Sequence, residues 1–322
     1  MNKGYLEIKD IIFRLELEDD LKTQMLKRVP AITYEGSSID FNVDVICKRE
    51  SELIFTDNKF LDQQEPDINE DSYYREILNL GIFKYDKTNK KLMVSYIISD
   101  KYLFDSLEVV VDTILQFIYL IMLEFGIVPL HTSAVAYEKK AVLLFGNSGS
   151  GKSTLELSLL NSGFSYFSDD IAFLDDENQI FGSGERILGC LNKTLEITDQ
   201  IFKAKILQVE NSDISRKNIV YLSDEIVSEH YKLQPIIIVF PQRSENIKEP
   251  LIKLNSGQVW TELIKITISK QFSSEQKQLY MKRLKNLALA TTAYYYYWNE
   301  NEENQIKRVC ETIRTICKET TS

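Results

Sequence analysis

This chain is short of cysteine and of clustered positive charge, and each shortage removes a class of function. Its four cysteines, Cys47, Cys190, Cys310 and Cys317, are scattered without a C-x-x-C pair. That scatter speaks against a metal cluster or a disulfide frame, and for a reducing, cytoplasmic setting. Lys and Arg total 38 against 48 Asp and Glu, a formal net charge of −10 with no basic cluster. A sequence-independent nucleic-acid binder needs the opposite balance, so no nucleic-acid partner is expected. Long apolar runs are also missing. The greasiest segment, Val109 to Leu130, is interrupted by Asp112, Gln116 and Glu124. A spanning helix needs about 20 nearly uncharged residues, so a buried helix and no membrane partner are expected. Met1-Asn2-Lys3-Gly4-Tyr5 lacks the apolar core of a secretory leader. No internal repeat or low-complexity tract is visible.

What is present starts from an ordinary composition, 44% hydrophobic and 27% charged over 322 residues, enough for one large domain or two. The chain centres on Gly146-Asn147-Ser148-Gly149-Ser150-Gly151-Lys152-Ser153-Thr154, which fits the phosphate-loop pattern G-x-x-x-x-G-K-[ST]. Ala141 to Phe145 reads as the buried strand before it. Leu155, Leu157, Leu159 and Leu160, stopped by Gly163, read as the helix after it. Glycines let successive N–H groups point inward and form a nest for phosphate oxygens at a helix N-terminus. Lys152 supplies a point charge for the β- and γ-phosphates, and Ser153 an oxygen for Mg²⁺. The pattern predicts binding of ATP or GTP.

Two neighbours sharpen this. Thr132 to Ala136 reads as a strand that turns at Glu138-Lys139 straight into the loop strand, forcing an antiparallel hairpin. With the turn there, His131 falls opposite Gly146, beside the phosphates; a packed histidine is the plainer alternative. After the helix, Phe164 to Leu174 is an apolar strand interrupted by Asp169-Asp170. Adjacent side chains on a strand face opposite ways, so both acids reach the phosphates only if the strand bends there. One would then serve Mg²⁺ and the other an incoming hydroxyl.

Elsewhere the signals are weaker. Asp175 to Asn178 reads as a solvated turn. Arg186 as a phosphate partner, and Glu196 as support for the metal, stand level with ordinary surface charges. Lys203 to Asp224 reads as a flexible flap. Ile236 to Phe240 reads as a buried strand that ends in Pro241-Gln242-Arg243 rather than in an acid, which favours Asp169-Asp170 as the metal site. Ser256 to Leu289 is helical, Thr292 to Trp298 an aromatic strand, and Glu302 to Cys317 an amphipathic helix. The aromatic strand reads as sheet filler, with a peptide-binding edge as the minority reading. The first hundred residues form an α+β module without a catalytic constellation. It holds strands at Ile12 to Leu17 and Ile39 to Val45, a polar loop from Asp57 to Asp71, and a hairpin around Lys87-Thr88-Asn89-Lys90.

Leu130-His131-Thr132-Ser133-Ala134-Val135-Ala136, the phosphate loop and Ser168-Asp169-Asp170 together resemble the kinase domain of the HPr kinase/phosphorylase family. The likeness is closer to its smaller relatives, the serine kinases of lasso-peptide precursors. The resemblance implies an α/β fold with a P-loop kinase core of the HPr kinase/PEP carboxykinase type, a mixed sheet with a hairpin before the P-loop. An N-terminal α+β module (1–101) would precede that kinase domain (102–322). It further implies ATP and Mg²⁺, with Asp169 as general base and Asp170 with Ser153 holding the metal. His131 would sit near the γ-phosphate, Lys152 would stabilise developing charge, and Glu196 is a candidate match to the family's additional acid. Arg186 and Arg243 are weaker placements on phosphate or substrate. Thr198-Asp199-Gln200 replaces the Arg-Gly-Leu-Gly-type loop of the HPr kinases, and Thr154 replaces their glutamate after the loop serine. Both departures point away from a phosphocarrier substrate and from phosphorolysis.

The expected activity is transfer of the ATP γ-phosphate to a serine of a peptide or small protein, as in the biosynthesis of a peptide natural product. A kinase of a phosphocarrier or of a small-molecule serine, a regulatory ATPase and a carboxykinase-like enzyme are the rivals. A homo-oligomer is among the states the sequence allows.

Overall fold

The computed structural model describes residues 2–30, 32, 42–50, 67–69, 71–77, 80–97, 103–191, 195, 203, 206–211, 218–244, 249–267, 272–299 and 303–320. The fold is mixed α/β. It divides into two compact units, Met1–Phe125 with Lys270–Ser273, and Gly126–Ser269 with Ser274–Ser322.

In the first unit seven strands form one sheet: β1 (Asn2–Ile8), β2 (Ile11–Leu17), β3 (Val43–Arg49), β4 (Asp67–Ile68), β5 (Ser72–Ile77), β6 (Gly81–Asp86) and β7 (Lys91–Tyr96). Their order is β1-β2-β3-β7-β6-β5-β4, with parallel pairs at β2/β3 and β3/β7. The β6/β7 hairpin falls where its turn residues place it, with Asp86 opposite Lys91. Asp86 accepts from the Asn89 N–H at 3.0 Å and fixes that turn. Helix α1 (Asp19–Arg28) and helix α2 (Leu103–Glu124) also belong to this unit. Sequence alone assigns α2 to the second domain. In the structure it packs on β6 and β7, with Phe117 stacked on Phe83 at 6.0 Å, and ends at Gly126, whose φ of 75° suits glycine. No helix among the described residues is long and apolar enough to cross a membrane. Residues 39–41 of the strand expected from Ile39, and most of the loop expected over Asp57 to Asp71, lie outside the described residues.

The second unit is built on a nine-stranded mixed sheet. Its strands are β8 (Val128–His131), β9 (Ser133–Tyr137), β10 (Lys140–Leu144), β11 (Ser165–Ser168), β12 (Ile171–Leu174), β13 (Ile180–Gly182), β17 (Lys232–Arg243), β18 (Leu251–Leu254) and β19 (Thr292–Trp298). β9 and β10 form the expected hairpin, Tyr137 opposite Lys140 and Ser133 opposite Leu144. β10 lies between β9 and β17 and is buried at every position, which is why it reads as an unbroken apolar run. β17 runs parallel to both β10 and β19. Helix α3 (Lys152–Asn161) follows the loop and buries Leu155, Leu157 and Leu159 completely, each contributing about 1.5–3 kcal/mol.

Three further α-helices of this unit are α4 (Ser256–Thr267), α5 (Ser274–Ala290) and α6 (Glu303–Glu319), the last packing on α3. A second, three-stranded sheet of β14 (Ile187–Cys190), β15 (Ile206–Asn211) and β16 (Asn218–Leu222) occupies part of the stretch expected to be a flap. Pairing with β14 supplies backbone partners that its polar composition did not announce.

Candidate functional site

The loop starts where β10 stops. Phe145 still donates its N–H to Val239 at 3.0 Å, and then the chain leaves the sheet. Asn147, Ser148 and Gly149 are exposed, and Ser150 closes a turn by donating to the Asn147 carbonyl at 3.1 Å. Gly149 (φ 81°) and Gly151 (φ 107°) adopt conformations that side chains resist, and Gly151 is the residue from which α3 departs. No side chain caps α3, and its first turn carries no acid. That end therefore offers backbone donors and a positive dipole to an anion. Lys152 is buried, and its ammonium donates to the Gly146 carbonyl at 2.6 Å across the loop. Trp298, the last residue of β19, donates its indole N–H to the Ser150 carbonyl at 2.6 Å.

The acids sit at a break in the sheet. β11 ends at Ser168 and β12 begins at Ile171, with Asp169-Asp170 between them and Asp170 at φ 61°. The bend is closed by Ile171 donating its N–H to the Asp169 carbonyl at 2.7 Å. The two side chains differ in setting. Asp170 is exposed, whereas Asp169 is buried and bonded on both oxygens. Oδ1 accepts from the Ser133 hydroxyl at 2.8 Å and from the Asp170 N–H at 2.9 Å; Oδ2 accepts from the Gly189 N–H at 2.9 Å. The Asp169 N–H donates to the Tyr166 phenol at 3.0 Å, and that phenol donates to the Ile187 carbonyl at 2.7 Å. Gly189 also accepts from the Ser153 hydroxyl at 2.9 Å. One residue of β14 thus ties the first turn of α3 to the acid bend.

Glu156 was not among the expected site residues. It is fully buried, and among the described residues neither carboxyl oxygen has a hydrogen-bond partner of good geometry. Burial, then the charges of Asp169 and Asp170, push its pKa well above the ordinary glutamate value, with the Ser133 hydroxyl and Lys152 pulling the other way. The available signal was local: a carboxylate between Leu155 and Leu157 on the helix that follows the loop. Ser133, Tyr166 and Gly189 carried no comparable signal.

His131 does not lie opposite Gly146. It pairs with Ile171, next to the acid bend, and is exposed. The hairpin register stops at Ser133 because Thr132 turns the chain: its hydroxyl donates to the Leu144 carbonyl at 3.0 Å and its N–H to the Asp170 carbonyl at 3.0 Å. Arg186, at the foot of β14, forms an ion pair with Asp224. Arg243 ends β17 directly across from Trp298, and so near the loop. Glu196 lies outside the described residues. Asp175 to Asn178 is the expected turn, although Asp175 itself is buried and accepts from the Glu177 and Gln179 N–H groups.

No cluster of three or more His, Cys, Asp or Glu among the described residues could hold a metal ion by itself. Ser153 and Asp170 are oxygen donors of the kind Mg²⁺ takes when phosphates complete its shell, so the residues present fit a nucleotide-borne magnesium.

No protein-family model matches the chain, and no curated protein does. Among solved structures it is similar to the Hpr(Ser) kinase/phosphatase from Coxiella burnetii, at 12% identity and a TM-score of 0.32, over 60% of this chain and 92% of that one. A likeness of that degree fixes neither mechanism nor substrate.

Proposed function

We propose that the protein is an ATP- and Mg²⁺-dependent serine kinase that phosphorylates a peptide or small protein. The observation that carries this reading is the tie through Gly189, which holds the Ser153 hydroxyl and the Asp169 carboxylate to one backbone position beside the glycine loop. Phosphoryl transfer asks for positioning and charge neutralisation rather than covalent chemistry, and such a frame supplies both.

In this reading the amides of Gly149 to Ser153 and the Lys152 ammonium bind the triphosphate. Ser153 and Asp170 hold magnesium, which when bound neutralises charge on the β- and γ-phosphates. Asp169 receives the acceptor's proton as the acceptor oxygen bonds to the γ-phosphorus and the bond from that phosphorus to the β–γ bridging oxygen breaks, releasing ADP. The Ser133 hydroxyl, which can rotate, can turn away from Oδ1 and clear that oxygen for the proton. His131 stands beside the acid bend, within the region the acceptor would enter. A precursor peptide bearing a serine is the favoured acceptor class.

Purified protein with labelled ATP, offered a serine-bearing precursor peptide, a phosphocarrier protein or free serine, tests the reading. Label on the peptide serine supports it. Label on another acceptor moves the substrate, and ATP hydrolysis with no labelled acceptor replaces the kinase with a nucleotide-driven regulator.

A further inference from the structure

We infer that Trp298 is a positioning residue for the loop: its indole orients the peptide between Ser150 and Gly151 so that the Gly151 amide is aimed at bound phosphate. The inference rests on the phosphate-loop reading above and assigns the aromatic end of β19 a task beyond filling the sheet.

Two observations carry it. The indole Nε1–H donates to the Ser150 carbonyl at 2.6 Å. In a planar trans peptide the carbonyl and the following N–H point in opposite directions. A carbonyl drawn to the indole therefore turns the Gly151 N–H to the other side of the chain. The second observation is the fit of the ring on Gly151. A Cβ added there would lie 2.4 Å from Nε1, 2.6 Å from Cε2 and 2.9 Å from Cζ2. The ring thus rests directly on the α-carbon, and Gly151 keeps its φ of 107° against that surface. Glycine peptides otherwise flip readily between orientations, because no Cβ opposes either one. Trp298 is itself anchored, paired with Arg243 along β17 and packed on the core that contains Tyr296 and Leu155. The loop's last peptide is therefore held from outside by a residue 148 positions away in sequence.

Trp298→Phe keeps a ring and removes the N–H. Titration with magnesium and a non-hydrolysable ATP analogue should give a dissociation constant raised about three- to tenfold, the effect of one hydrogen bond. The KM for the acceptor should stay as in the unaltered protein, and the melting temperature without nucleotide should fall by no more than the loss of one hydrogen bond explains. A merely structural tryptophan would move the melting temperature and leave the affinity. Equal affinity in the two proteins overturns the inference alone. Failure of the unaltered protein to bind defeats the phosphate-loop reading and the inference with it. Should Trp298→Phe not fold, Trp260→Phe leaves Trp298 as the sole indole. Its emission should then shift on saturation with the analogue, and an unchanged emission overturns the inference.

Discussion

The Ser133 hydroxyl donates to Asp169 at 2.8 Å, and unlike two further donors to this carboxylate it can rotate. The other two are backbone N–H groups, fixed by the bend at Asp170 and by β14. Ser133→Ala leaves the two fixed donors and the strand pairing in place. It should lower turnover about three- to tenfold while ATP affinity stays unchanged, the share of one hydrogen bond in setting the carboxylate. Steady-state kinetics with separate ATP and acceptor titrations reads this.

Asp169→Asn should separate binding from transfer. The amide preserves shape, and the ATP dissociation constant should remain within about twofold of the unaltered protein. Turnover should fall about 10²- to 10⁴-fold, the usual contribution of a positioned base. Single-turnover transfer of labelled phosphate checks it, and unaltered turnover would remove Asp169 from the base role. Asp170→Asn should instead weaken the dependence on magnesium.

Lys152→Ala removes a buried ammonium that spans the loop to Gly146. Charge-assisted hydrogen bonds of this kind contribute about 1.5–3 kcal/mol. Calorimetry should therefore show ATP binding weakened about 10- to 100-fold, with turnover reduced as well.

Much of this local geometry was legible from the chain. The loop announces itself because glycine, lysine and serine are set by local backbone geometry, and β19 begins and ends where its aromatic alternation does. The acid pair was legible as an anomaly, two carboxylates in an apolar strand, and the break at Asp169-Asp170 explains it. What could not be read depends on partners distant in sequence. Gly189 matters only because β14 brings its backbone between Ser153 and Asp169. His131 misleads a register count because Thr132 bonds to both Leu144 and Asp170 and takes the chain off the hairpin. Lys203 to Asp224 looks like a flap until β14 is there for β16 to pair with.

Glu156 gives stability a pH dependence of known sign. Burial raises its pKa in the folded protein, so the folded state holds a proton that the unfolded state releases. Stability should therefore fall as pH rises from the ordinary glutamate value toward the raised one. Glu156→Gln keeps the neutral shape and lacks that fall, so its advantage in melting temperature should grow with pH. Parallel melting curves across the pH range check this, and a constant difference would contradict it.

Gly151→Ala meets two obstacles, a φ of 107° and the Trp298 ring 2.4 Å from the new methyl group. Backbone strain of that kind costs about 1–3 kcal/mol before the clash is counted. Chemical denaturation should show at least that loss.

The most direct measurement is a crystal structure with magnesium and a non-hydrolysable ATP analogue. The account places the terminal phosphate within hydrogen-bonding reach of Lys152, the metal on Ser153 and Asp170, and Asp169 facing the side of the phosphorus away from the leaving oxygen. A triphosphate bound away from Gly146 to Ser153, or a terminal phosphate out of reach of both aspartates, would contradict it.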